Sequence, residues 1–179
     1  MNKTVLILST SLRRGGNSEK LADEFARGAE EAGNRVEKIG LSGKTIGFCR
    51  GCLACQKTGQ CVIRDDAESI VQKMRTADVI AFATPIYYYE MCGQMKTLLD
   101  RANPLFSSDY AFRDIYLLAT AADREDSAVE GALQGLRGWI SCFGRAALAG
   151  TVFGGGVEAV GDIQGHPALQ RAYEMGKTV

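Results

Sequence analysis

Four cysteines crowd the stretch FCRGCLACQKTGQC: Cys49, Cys52, Cys55 and Cys61, spaced C-x2-C-x2-C-x5-C. Thiolates are nucleophiles and soft-metal ligands. Three of them at spacing three can cap three corners of an iron–sulfur cubane from one tight loop, with a fourth ligand further along the chain. Zinc, a redox switch and an unused run of thiols are the other readings. Zinc sites usually pair two C-x2-C knuckles across a longer gap, whereas three cysteines overlap here. The residue after Cys61 is Val62, where bacterial ferredoxins have Pro.

Three further stretches have the residue types of a ligand site. Ser9-Thr10-Ser11-Leu12-Arg13-Arg14-Gly15-Gly16-Asn17-Ser18 leads into a helical pattern. Hydroxyls, an Arg pair, two glycines and a helix N-terminus would cradle a phosphate, because the first-turn N–H groups and the helix dipole attract an anion. The loop matches neither the G-K-[ST] ending of a Walker A sequence nor G-x-G-x-x-G. An ordinary capped strand-to-helix turn is the competing reading. Thr84-Pro85-Ile86-Tyr87-Tyr88-Tyr89 offers aromatic side chains that can wall a planar ring, or pack at a subunit interface. Thr120-Ala121-Ala122-Asp123 is rich in small residues and would let a ring approach the backbone.

The elements that must position these loops alternate between short apolar strands and amphipathic helices. Val5 to Leu8 and Val79 to Ala83 are continuous apolar runs, as expected of strands buried on both faces. Residues 18–32 place Leu21, Phe25, Ala29 and Ala32 on one helical stripe, stopped by Gly33-Asn34. Arg35 to Leu41 is a more polar strand, suited to an edge. Asp65-Asp66-Ala67-Glu68 predicts a capped helix from about Asp66 to Arg75. Met95, Leu98 and Leu99 mark a helix in which Lys96 and Asp100-Arg101 form a solvated face or a subunit contact. Ile115 to Ala119 is a strand, Val129 to Phe143 a helix, Ala146 to Phe153 the last strand, and Pro167 to Gly176 a closing helix. Cys92 and Cys142 fall on helical patterns as small buried residues. Five strands separated by helices give a doubly wound α/β sandwich in one domain, residues 1–179. Ligands of such sheets bind beyond the carboxyl ends of the strands, where the three loops stand.

Composition narrows the function. The 21 basic and 21 acidic side chains cancel, which leaves no overall field for nucleic acid or a membrane surface. The N-terminal apolar run is too short for a signal peptide or a spanning helix, so the expected compartment is the cytoplasm, where thiols stay reduced. The one histidine, His166, directly precedes Pro167 and reads as a helix-start residue, which disfavours Ser-His-Asp chemistry and an imidazole-rich zinc site.

Two of these stretches also carry a resemblance. STSLRRGGNSEKLA looks like the phosphate-loop signature of the NADPH-dependent FMN reductase family, G-S-x-R-x-x-x-N-S, and TPIYYYEMCGQMKTLLDR resembles its second signature, a Pro-x-Tyr loop followed by Lys and Asp-Arg. GDIQGHPALQRAYEMGK looks like the closing segment of flavodoxin-like members. The resemblance thus runs from about Val5 to Lys177. It implies a flavodoxin-like fold, a five-stranded parallel sheet of order 2-1-3-4-5 with helices on both faces, and tightly bound FMN. Ser11, Arg13, Asn17 and Ser18 would hold the phosphate, with Ser9 at the head of the loop. Pro85, Ile86, Tyr87 and Tyr88 would border the isoalloxazine ring, which Thr120 and Ala121 of the small-residue loop would let approach the backbone. Thr10 stands where the signature has Gly, and Leu12 where Pro is frequent, which implies a stiffer loop.

The implied activity is NAD(P)H oxidoreduction, the hydride going to FMN and on to a small acceptor such as flavin or quinone, with no protein acid or base required. No dinucleotide fingerprint appears, so NAD(P)H would be a transient visitor. The cysteine spacing resembles that of iron–sulfur flavoproteins, a branch of the same fold carrying FMN and a [4Fe-4S] cluster for electron transfer to a protein acceptor. Similar C-x-G-C-x-x-C runs followed by Asp-Asp occur in cluster-free reductases, so both readings stand. A non-catalytic flavodoxin-type carrier or FMN sensor is the third. The resemblance also implies a homodimer or homotetramer.

Overall fold

The computed structural model describes residues 2–179. Its elements are β1 (Thr4–Ser9), α1 (Asn17–Glu31), β2 (Arg35–Gly40), α2 (Ala54–Thr58), α3 (Asp66–Thr76), β3 (Val79–Tyr87), β4 (Glu90–Met91), α4 (Gly93–Arg101), β5 (Asp114–Thr120), α5 (Glu130–Ile140), β6 (Ala147–Gly154) and α6 (Pro167–Lys177). Short 3-10 turns at Asn103–Leu105 and Asp126–Val129 follow α4 and precede α5. The five long strands are parallel in the order β2-β1-β3-β5-β6. Counting only these, the order is the expected 2-1-3-4-5. No described helix is long and apolar enough to cross a membrane.

The apolar runs form central strands because both of their faces are covered. Leu6 and Leu8 of β1 point to the side packed by α3, α4 and α5, and Val5 and Ile7 to the side packed by α1 and α6. β3 divides likewise, Ile80 and Phe82 one way, Val79, Ala81 and Ala83 the other. Each such Val, Leu, Ile or Phe side chain taken out of water contributes roughly 1.5–3 kcal/mol. Polar β2 lies at the edge. Leu21, Phe25 and Ala29 bury the inner stripe of α1, whereas Ala32 is exposed at its C-cap. Gly33 then turns the chain at φ 88°, its N–H donating to the Glu30 carbonyl.

Two features depart from the expected pattern. The TPIYYYE stretch is not a plain loop. β3 continues through Tyr87, and Tyr88-Tyr89 turn the chain back into β4, which pairs antiparallel with the end of β3. Both turn residues have positive φ, 50° and 64°, the backbone of a tight hairpin turn usually made by Asn or Gly. Neighbours hold this strain: the Tyr89 hydroxyl donates to Asp123 Oδ2 at 3.2 Å, and the Tyr89 carbonyl lies where a side chain on Gly131 of α5 would be, 2.3 Å from an ideal Cβ. The second departure is α2, a single turn inside the cysteine stretch, entered through Leu53 with φ 57°.

Candidate functional site

Two clefts carry the residues singled out in the sequence. The first, about 220 Å³, opens beyond the carboxyl ends of β1, β3 and β5 and is lined by Ser11, Arg13, Gly16, Asn17 and Ser18 on one side. The N-cap of α1 is Gly16, so Asn17 and Ser18 are first-turn helical residues rather than caps. First-turn N–H groups have no intrahelical acceptor and face outward from the helix end. Gly16 is a close fit, because a Cβ there would meet the Arg13 carbonyl at 3.0 Å and Ser11 Oγ at 3.3 Å. Ser18 Oγ is buried and has no hydrogen-bond partner. Asn17 instead serves the backbone, its Nδ2 donating to the Ala159 carbonyl at 2.9 Å and its Oδ1 accepting from the N–H groups of Gly161 and Ile163. Arg13 Nη1 donates to the Glu158 carbonyl at 2.9 Å, so both residues tie the loop after β6 to this end of the cleft.

The opposite walls are Pro85, Ile86 and Tyr87 from the end of β3 and Thr120, Ala121 and Ala122 from the end of β5. Val157, Glu158 and Val160, in the loop after β6, close the third side. Those three had no motif to reveal them; only the strand order brings their loop beside β5. Two expected residues lie outside the lining. Ser9 is the last ladder residue of β1, paired with Gly40 and Ala83, and is buried there. Tyr88 sits at the tip of the hairpin turn and is fully exposed. Thr10 pins the loop as its substitution for Gly implied, its hydroxyl donating to the Ala83 carbonyl at 2.9 Å and lying 3.2 Å from Cys92 Sγ. Cys92 is buried as expected, but as the N-cap of α4, its N–H donating to Thr84 Oγ1 at 3.2 Å.

The second cleft, about 460 Å³, is lined by Cys49, Cys52, Cys55 and Cys61 together with Leu99, Phe106, Trp139 and Phe143. Cys142 lines it too and is exposed just past α5, contrary to the expected buried helical position. Cys55 is buried, Cys61 half-buried, Cys49 and Cys52 exposed. Among the described residues no three His, Cys, Asp or Glu groups stand close enough together to grip one metal ion. A cubane makes a different demand, since each thiolate holds a different iron and the four stand farther apart than those around one zinc.

The neck of this cysteine loop is closed by Arg101, the last residue of α4. The sequence suggests a solvated or subunit-facing residue, yet its side chain is 0% exposed. Its Nη1 donates to the Gly47 carbonyl at 2.8 Å and to Asp65 Oδ2 at 2.6 Å, and its Nη2 to the Ile63 carbonyl at 3.0 Å and to Asp65 Oδ1 at 2.9 Å. Asp65 also accepts from the N–H groups of Gly47 and Ala67, the latter capping α3. Burial opposes ionisation of Asp65, but hydrogen bonds from Arg101, Gly47 and Ala67 outweigh it and hold the carboxyl below its ordinary value. The Asp65 bond raises the Arg101 pKa against the cost of burial, and nearby Cys61 adds to the rise. Lys96 and Asp100 remain on the exposed face as an i,i+4 pair at 2.6 Å. His166 is the N-cap of α6, its Nδ1 accepting from the Ala168 N–H.

A doubly wound parallel sheet with an anion-ready helix end, an apolar wall and a third loop converging beyond β1, β3 and β5 defines a flavodoxin-like α/β protein. The model of the NADPH-dependent FMN reductase family matches residues 3–158, and the chain belongs to that family. Among curated relatives, an iron–sulfur flavoprotein of Archaeoglobus fulgidus is 39% identical over 102 residues, 57% of this chain and 46% of that protein. One of Methanosarcina thermophila is 28% identical over 151 residues, 84% of this chain and 79% of that protein. The chain thus spans about half the length of the Archaeoglobus relative. Among solved structures, a NAD(P)H:quinone oxidoreductase from Methanothermobacter marburgensis superposes with a TM-score of 0.78 at 17% identity, covering 99% of this chain and 96% of its own.

Proposed function

We propose that the chain works as one domain, residues 1–179, and as an FMN-dependent NAD(P)H oxidoreductase that passes reducing equivalents to a small acceptor. The observation that carries the proposal is the orphaned Ser18 hydroxyl, buried at the N-terminus of α1 in a cleft walled by the ends of β3 and β5. A buried hydroxyl without a partner costs about 1–3 kcal/mol, and a phosphate there would satisfy it. Ser11, Ser18, Arg13 and the first-turn N–H groups would hold the phosphate of FMN, while Pro85, Ile86 and Tyr87 would border its ring on one side and Thr120 and Ala121 on another. When bound, FMN would supply hydride acceptance and one- or two-electron transfer. The chain's own part is to fix the ring between two strand ends, to keep one side open for a transient nicotinamide, and to exclude water with Val157 and Val160.

The thiol cleft supports the more specific reading of an iron–sulfur flavoprotein. All four cysteines line one cleft, a four-thiolate donor set fits a [4Fe-4S] cluster, and two relatives carry that name. When bound, such a cluster would supply single-electron transfer to a protein partner. The proposed setting is the cytoplasm, and the proposed working form is a homodimer or homotetramer, supported by the exposed Leu12, Phe48 and Tyr88.

Protein purified without air and mixed with NADH or NADPH in a stopped-flow spectrometer tests both readings. Bleaching of flavin bands is expected. No flavin uptake after incubation with FMN refutes the proposal, and flavin that neither nucleotide bleaches leaves the carrier or sensor. Iron and sulfide bound in stoichiometric amounts select the iron–sulfur reading.

A further inference from the structure

The cysteine loop is held by α4 through more than its neck. Beyond Arg101, the 3-10 turn begins at Asn103, whose Nδ2 donates to Cys55 Sγ at 3.0 Å. Cys55 is the buried member of the four and Asn103 is half-buried, so this bond is partly shielded from water. Pro104 follows at once and limits the backbone of the turn. Arg101 meanwhile ties Gly47 and Ile63, the two ends of the loop, to the same segment. The donor and the thiol it serves are therefore fixed to one another from both directions.

The geometry points to Asn103 as the residue that tunes the thiol centre, acting through its hydrogen bond to Cys55 and thereby raising the reduction potential of a bound cluster. This rests on the iron–sulfur reading above. An N–H donor to a ligand sulfur stabilises the added negative charge of the reduced state, so its removal favours the oxidised one. Loop packing alone would make Asn103 replaceable by any neutral residue that fills the space, such as Leu, with no change in potential.

Three full-length variants carrying FMN test it: Asn103→Leu and Asn103→Asp remove the donor at similar volume, and Asn103→Gln keeps an amide. Each is reconstituted without air with ferrous iron and sulfide, then assayed for iron and sulfide per chain and for cluster midpoint potential by spectroscopically monitored redox titration. Bound flavin and its own potential report folding. The expected result is a lower cluster potential in Asn103→Leu and Asn103→Asp, partial recovery in Asn103→Gln, and an unchanged flavin potential. Loss of loading in the first two with retention in Asn103→Gln also supports the donor. Wild-type cluster potential in Asn103→Leu and Asn103→Asp, or loss of loading in all three, overturns the role of Asn103 while leaving the cluster reading intact. A wild-type chain that takes up no iron and sulfide overturns both.

Discussion

Replacing Arg101 by Met removes the charge and every donor of the guanidinium while keeping an apolar stem of similar length. Four hydrogen bonds go, two to Asp65 and one each to the Gly47 and Ile63 carbonyls. Asp65 is left as a carboxylate whose side chain is only 8% exposed, supported by two backbone N–H groups. Removing one partner of a buried ion pair costs about 3–5 kcal/mol, because the other charge stays desolvated. For a chain of this size each kcal/mol lowers Tm by about 2–4 °C, so a fall of roughly 6–20 °C is expected. Thermal unfolding of FMN-free protein followed by circular dichroism measures this without the stabilisation that a bound ligand adds. The double variant Asp65→Asn, Arg101→Met should be less destabilised than the two single changes summed, since the buried charge has gone. Residues 48–62 should also become sensitive to limited proteolysis. A loss below about 1 kcal/mol, with the loop still protected, would refute the reading of Arg101 as the clasp of the neck.

Other outcomes follow from the same contacts. Since the folded Asp65 carboxyl titrates below its ordinary value, its stabilisation is complete above that value and lost as pH falls through the folded one. The stability gap between wild type and Arg101→Met should therefore shrink below about pH 4, and a gap unchanged in urea titrations at pH 3 and pH 7 contradicts it. Ser18→Ala removes a hydroxyl that has no partner in the chain, so FMN affinity should fall about 10- to 100-fold by fluorescence titration with no loss of stability in the FMN-free protein. Gly28→Ala raises helix propensity by about 1 kcal/mol yet places a Cβ 2.1 Å from the Tyr173 carbonyl of α6. Its Tm should fall, and a rise would mean that α1 and α6 do not pack as described.

The buried strands and the helix stripes were legible because burial on both faces writes a continuous apolar run and burial on one face writes a periodic one. Val5 to Leu8 and Leu21-Phe25-Ala29 are examples, each within a residue or two of its observed place. Most of the first cleft was legible too, since Ser11, Arg13 and Ser18 follow β1 and Pro85 to Tyr87 end β3 at the same edge of the sheet. What escaped had a tertiary cause. Nothing local to Tyr88-Tyr89 announces a tight turn, because their positive φ is held by Asp123 and by the bare Gly131, far along the chain. Arg101 sits among Lys96 and Asp100 on a charged helix end, and only the partner Asp65 reveals that it points inward. The resemblance implies Asn17 as a phosphate ligand, but nothing local announces the bonds its side chain makes to the backbone of residues 159–163.

The two clefts share one support. α4 is capped by Cys92, which is bonded to Thr10 after β1 and to Thr84 beside Pro85, and it ends at Arg101, which closes the cysteine loop. Nine residues lie between the N-cap and the C-cap, a rise of about 13 Å along the axis. Met95, Leu98 and Leu99 bury the inner face of this helix against the sheet, so it cannot slide without opening the core. The separation of the two sites within one chain is therefore set by the length of a packed helix rather than by a flexible loop. The cysteine run, which alone favoured a cluster over zinc and in a flavodoxin-like chain left the cluster and the cluster-free readings both open, is attached to that helix. The loop carries a buried ion pair at its neck and an amide donor on its buried sulfur.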